Sequence, residues 1–124
     1  MKKSIFMLIG LGLCVQAYAA VEVCPSVNEI HHGRFRDWQA YNALSGYPAS
    51  KALIKRFQQD VESFHMAQWS LAFPEGPGQC YYHSDAEIYL VKEAPKPSGT
   101  NWTWRFEMGS CRAARDECVF SDVQ

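Results

Sequence analysis

Four cysteines, Cys24, Cys80, Cys111 and Cys118, and the alternating stretch that three of them frame, constrain this chain most. The stretch opens Cys-Tyr-Tyr-His-Ser-Asp-Ala-Glu-Ile-Tyr-Leu-Val-Lys, passes a loop with Pro95, Pro97 and Gly99, and resumes at Trp102. Trp102, Trp104, Phe106 and Met108 then fall on alternate positions, with Thr103, Arg105 and Glu107 between them. A period of two puts the large apolar groups on one face of a strand and the polar ones on the other. Ala86, Ile88 and Leu90 keep the same alternation earlier in the stretch. The connection over residues 94–101 lets the two strands pair antiparallel.

The cysteines need an oxidising compartment to act as crosslinks, and the N-terminus supplies the reason to expect one. Met1-Lys2-Lys3 is a basic start, residues 5–15 form an apolar run, and Ala17-Tyr18-Ala19 places small residues at −3 and −1 of a cleavage site. These features predict a signal peptide over residues 1–19 and a single exported domain over residues 20–124, in the periplasm or outside the cell. The run is shorter than the roughly 20 apolar residues of a spanning helix, so no membrane insertion is expected after cleavage. Losing 19 of 124 residues leaves 105, enough for one domain. Lys2 and Lys3 leave with the leader, so ten basic residues face thirteen acidic ones. Nucleic acid is not an expected partner, because it calls for a clustered excess of Lys and Arg.

Cys14 also leaves with the leader, and the four remaining cysteines imply two disulfides. If the two main strands pair about the 94–101 loop, Cys80 meets Cys111 at the far end, which leaves Cys24 for Cys118. This pattern is favoured. The competing one joins Cys24 to Cys80 and Cys111 to Cys118. A zinc site is disfavoured, since no Cys-x-x-Cys pair is present.

Pro25, Ser26 and Glu29 suit a short helical turn with Val27 and Ile30 inward, ended by His31-His32-Gly33. Residues 35–41 read as either a first strand or irregular chain. From residue 49 to about 66, Leu53, Phe57, Val61 and Phe64 recur at spacings of four, four and three, the stripe of an amphipathic helix. Trp69, Leu71 and Phe73 return to period two. The expected fold is α+β, with one main amphipathic helix packed on an antiparallel sheet of three to five strands and two disulfides. Its core would draw on Leu53, Phe57, Val61, Phe64, Trp69, Leu71, Ile88, Leu90, Trp102, Trp104 and Phe106.

Specific catalytic spacing is lacking. There is no Gly-x-Ser-x-Gly elbow, and disulfides use every cysteine of the exported chain, so no catalytic residue and no cofactor is expected. His31 and His32 are adjacent, and His83 with Asp85 fall on one strand face, so these four define the metal-dependent or hydrolytic alternative. None of these histidines has the i, i+4 spacing that makes a metal site specific. Asp85 and Glu87 also share a face, as a pair of glycosidase carboxylates would, although such a face is ordinarily the wet side of a sheet. Trp38, Tyr41, Tyr81 and Tyr89 define the other candidate, an aromatic platform for a glycan or a protein. The candidate ligand-binding set is therefore Trp38, Tyr41, Tyr81, His83, Asp85 and Tyr89.

Several of these residues also carry a resemblance. Cys24-Pro25-x4-Ile30, Phe64 with Ala67 and Trp69 ahead of Cys80-x-Tyr82, and Cys111-x6-Cys118-x-Phe120 resemble a family of small exported bacterial domains of unknown function. Val119 departs from the proline that many members carry after the last cysteine. The resemblance implies an exported, disulfide-bonded bacterial domain, host-associated in several cases and so a possible virulence factor. It brings no established catalytic residues. Together these readings point to a non-enzymatic binding module for a protein or surface ligand. A metal-binding or hydrolytic enzyme and a glycan-binding module are the alternatives.

Overall fold

A computed structural model describes residues 21–73 and 76–121. The predicted leader lies outside the described residues. The chain opens with α1 (Val27–His31), whose start is fixed by a reciprocal capping box between Ser26 and Glu29. Gly33, at φ +73°, lets the helix end as the sequence predicts. The Gly33 N–H donates to the Ile30 carbonyl and the Arg34 N–H to that of Glu29, which satisfies the last free carbonyls of the helix. Strand β1 (Gln39–Asn42) follows, and then α2 (Lys51–Asp60), capped by the Ser50 hydroxyl. The remaining strands are β2 (Ser63–Ser70), β3 (Gly78–His83), β4 (Ile88–Lys92), β5 (Thr103–Arg105) and β6 (Met108–Cys111). All pairings are antiparallel, in the order β1-β4-β3-β2-β6-β5.

The architecture is α+β, with six strands rather than three to five. The extra strands arise at two places. Residues 39–42 form an edge strand. The alternating 102–108 run is not one strand but parts of two, because Phe106-Glu107 is a two-residue turn between β5 and β6. The expected long helix is likewise shorter. Val61 is already extended, and Phe64 reaches the core from β2, opposite Tyr82. A side chain three positions beyond Val61 meets the same core from a strand as it would from a helix, which is why the stripe continued across the boundary.

Strand order also decides the disulfides. Cys24 joins Cys80, and Cys111 joins Cys118, which overturns the favoured pairing. Its premise was that the two strands flanking the 94–101 loop are neighbours. Instead β2 lies between β3 and β6, with Ala67 directly opposite both Cys80 and Cys111. Strands two places apart sit about 10 Å from each other, beyond the reach of a disulfide.

One face of the sheet carries the core. Phe57 of α2 and Ile30 of α1 pack there against Ala67, Cys80, Ile88, Leu90 and Cys111. Trp38 packs at 5.7 Å and Trp102 at 5.1 Å from Phe120, closing the end of that layer. Indole N–H groups pin the connecting chain: Trp69 donates to the Ala94 carbonyl and Trp102 to that of Val119. The N-terminal segment is held by Glu22, which receives Lys92 at 2.7 Å and Arg36 at 3.7 Å, and by an antiparallel bridge to Phe120. Two residues expected in the core are on the surface instead: Leu71 is 67% and Phe106 is 98% exposed.

The two crosslinks close loops of very different length, 56 and 7 residues. On chain entropy alone they contribute about 4 and about 2 kcal/mol respectively. Urea unfolding of the C24A/C80A protein should therefore show the greater loss of stability. The C111A/C118A protein should lose roughly half as much.

Candidate functional site

The second face of the sheet is covered by neither described helix. Its residues follow from the register: Tyr41 opposite Tyr89, Tyr89 opposite Tyr81, Tyr81 opposite Met66, and Gln68 opposite both Gln79 and Ser110. Three aromatic residues on three adjacent strands produce a row of rings. Tyr41 and Tyr89 stack at 6.0 Å and Tyr89 and Tyr81 at 5.7 Å, with Phe73 edge-on to Tyr89 at 6.3 Å. The Tyr81 hydroxyl donates to Gln68 Oε1. Burial, with the neighbouring Tyr89 hydroxyl, pushes the Tyr81 phenol up to about 12, so this phenol is neutral across the physiological range.

The chain after β2 folds over one corner of this face. The fully buried Gln79 donates through Nε2 to the Gly76 and Pro77 carbonyls, fixing that return, and its Oε1 has no partner among the described residues. Beyond the corner the surface is apolar. A cavity of about 290 Å³ is lined by Ser70, Leu71, Ala72, Phe106 and Met108, with Arg105 and Glu107 at its rim. Phe106 occupies the β5–β6 turn at φ +56°, a conformation that costs a bulky L-residue about 1 kcal/mol or more. No intramolecular packing offsets that cost, since the ring is wholly in solvent.

The six candidate residues therefore separate. Tyr41, Tyr81, Tyr89 and His83 share the helix-free face. Trp38 lies apart from it, 3% exposed in the core beneath Lys92. Asp85 sits in the turn between β3 and β4 and lines a cavity of about 250 Å³ with Asn42, Leu44, Leu53, Arg56 and Glu87. The histidines of the metal alternative are dispersed as well. The Nδ1–H of His31 donates to the Gln58 carbonyl and that of His32 to the Asn28 carbonyl, which fixes both rings against the helices. Among the described residues no three His, Cys, Asp or Glu side chains are grouped to hold a metal ion.

Sequence reasoning missed two features. Alternation assigns Phe106 to the core because it cannot distinguish a strand from a hairpin whose turn falls in phase with it. His65 was not singled out at all. A β-bulge between Phe64 and Met66 makes it the unpaired residue of β2 and sets its ring 4.6 Å from that of His83. Comparisons of the chain with protein-family models, with curated proteins and with solved structures return no match.

Partial desolvation, then the adjacent His83 and Arg112, lower the pKa of His65. A histidine lowered in the folded state binds its proton more readily when unfolded. Stability is thus lost as pH falls through the unfolded histidine value of about 6.5. In a buffer free of multivalent anions, the thermal midpoint should drop between pH 7.5 and 5.5, and H65Q should flatten that drop.

Proposed function

We propose that this protein is an exported, non-enzymatic binding module that engages a protein ligand through the helix-free face of its sheet. The observation that carries this reading is Phe106: a large aromatic ring, fully exposed, in a backbone conformation that glycine would adopt more cheaply. Strain without internal compensation is the mark of a residue retained for an external contact. Leu71, 67% exposed, and Met108, 40% exposed, extend the patch beside an apolar cavity. A pocket-side aromatic within an apolar surface is the composition of a protein contact.

Export is supported by the leader-like N-terminus and by two disulfides, which fit an oxidising compartment. Among the described residues no helix is long and apolar enough to cross a membrane. The resemblance to small exported bacterial domains agrees with a host-facing or periplasmic binding role. The glycan reading is weaker than the protein one. Tyr89 is stacked between Tyr41 and Tyr81, so the ring faces that a sugar would stack on are already used.

F106G separates binding from folding. The variant should be more stable than the parent by about 1 kcal/mol, because glycine relieves the left-handed strain. It should also lose, by at least tenfold, a partner captured by the parent protein from periplasmic or host-cell lysates. Equal capture by both proteins, or destabilisation by the glycine, would overturn the reading.

A further inference from the structure

We propose that His65, His83 and Arg112 form an oxyanion-binding subsite on the helix-free face, taking a sulfate or phosphate group and binding it more tightly in acid. The inference deepens the reading of that face as the ligand surface and rests on it. The three residues come together through the fold, from distant points in the sequence. His83 ends β3 opposite Ser63, and the bulge in β2 turns His65 toward it, to a ring separation of 4.6 Å. Arg112 follows β6 directly. Cys111, the last residue of that strand, pairs with Ala67, so Arg112 leaves the sheet beside the end of β2 that carries Met66 and His65. The downward shift of His65, to which both His83 and Arg112 contribute, agrees with that proximity.

Among the described residues no acidic side chain forms an ion pair with His65, His83 or Arg112. Glu62 precedes β2 and donates its backbone N–H to the His83 carbonyl, and Asp85 lines the cavity against α2. Tyr81, a titratable neighbour on this face, is neutral. The described ion pairs lie elsewhere, around Glu22 and Glu29. Two exposed imidazoles thus lie together, with the exposed Arg112 close enough to act on His65, and among the described residues none of the three side chains is in an ion pair. A tetrahedral oxyanion suits this set: the guanidinium donates through its fork, and each imidazole donates one N–H. A metal cation does not, because Arg112 would repel it and only two ligands are present.

The same groups set the pH dependence. The permanent charge of the cluster is that of Arg112. In acid a proton on His65 is disfavoured by its neighbours His83 and Arg112, and a bound dianion turns that repulsion into attraction. Each ring whose pKa rises by one unit on binding adds about a tenfold gain in affinity at low pH.

The test is a titration of the disulfide-bonded protein with inorganic sulfate, whose charge is constant over this range, read by NMR of the histidine rings. Sulfate should shift His65 and His83 and raise their pKa values. Its affinity should rise tenfold or more from pH 7.5 to 5.5, and R112Q should abolish the effect. His31 and His32, held on backbone carbonyls, are internal controls for salt screening and for folding. Phenyl sulfate, run in parallel, identifies the source: tighter binding than inorganic sulfate marks an ester on the ligand, weaker binding a free ion. Equal shifts of all four histidines, an R112Q protein that titrates like the parent, or affinity independent of pH would each overturn the subsite. If the subsite fails while capture through Phe106 survives, the wider reading of the face still stands; loss of capture alone would remove that reading and leave the sulfate result intact.

Discussion

Ala67 is the point on which both crosslinks converge. It lies in β2, with Cys80 opposite it on one side and Cys111 on the other, all three on the core face. Adjacent cross-strand side chains on one face stand about 5 Å apart, so a branched residue here would compete for space with both sulfur bridges. A methyl group leaves room for them, and all four cysteines reach full burial or very nearly so. One bridge ties the N-terminal segment to the middle of the sheet. The other ties the chain after β6 back to its own strand. Segments near both ends of the described domain are thereby tied to the strands that flank one residue.

That concentration of crosslinks on one face determines what the other can be. With α1, α2, the disulfides and the Trp38–Phe120–Trp102 cluster all on the core side, the hydrophobic requirement of a small domain is met in one layer. The helix-free face is then released from packing duty. It holds a tyrosine row, an exposed apolar turn and a histidine pair, three surfaces of different chemistry within one sheet. The β2 bulge contributes to two of them. By inserting His65 it brings two imidazoles together, and by shifting the register it places Met66 opposite Tyr81.

Much of this was legible in the sequence where local pattern and tertiary role agree. The α1 capping box, the glycine that ends that helix, the α2 stripe through Leu53 and Phe57, and the α+β class all follow from spacing. The pairing of β3 with β2 rather than with β6 does not, because antiparallel strands linked by a loop need not be neighbours when another strand can fill the gap. The disulfide pattern fell with that assumption. The candidate set was legible in part for the same reason. Tyr81 and His83 share a face by period two within one strand, whereas Tyr41 and Tyr89 join them only through register. Trp38 carries no local sign of whether it faces core or ligand. Tertiary packing decides it, against Phe120 some eighty residues away.

Phe106 shows how a conflict between levels can be informative. By alternation it belongs to a core strand, and by backbone geometry its position belongs to glycine. A ring buried in the fold would resolve the conflict, since packing would offset the strain. Full exposure leaves it unresolved within the molecule. Nearby Gly109, whose added Cβ would come within 2.9 Å of the Trp104 ring, shows that the same hairpin does use glycine where close packing demands it. The turn thus has glycine at the crowded position and phenylalanine at the strained one. Folding accounts for the first choice, and the proposed contact outside the chain would account for the second.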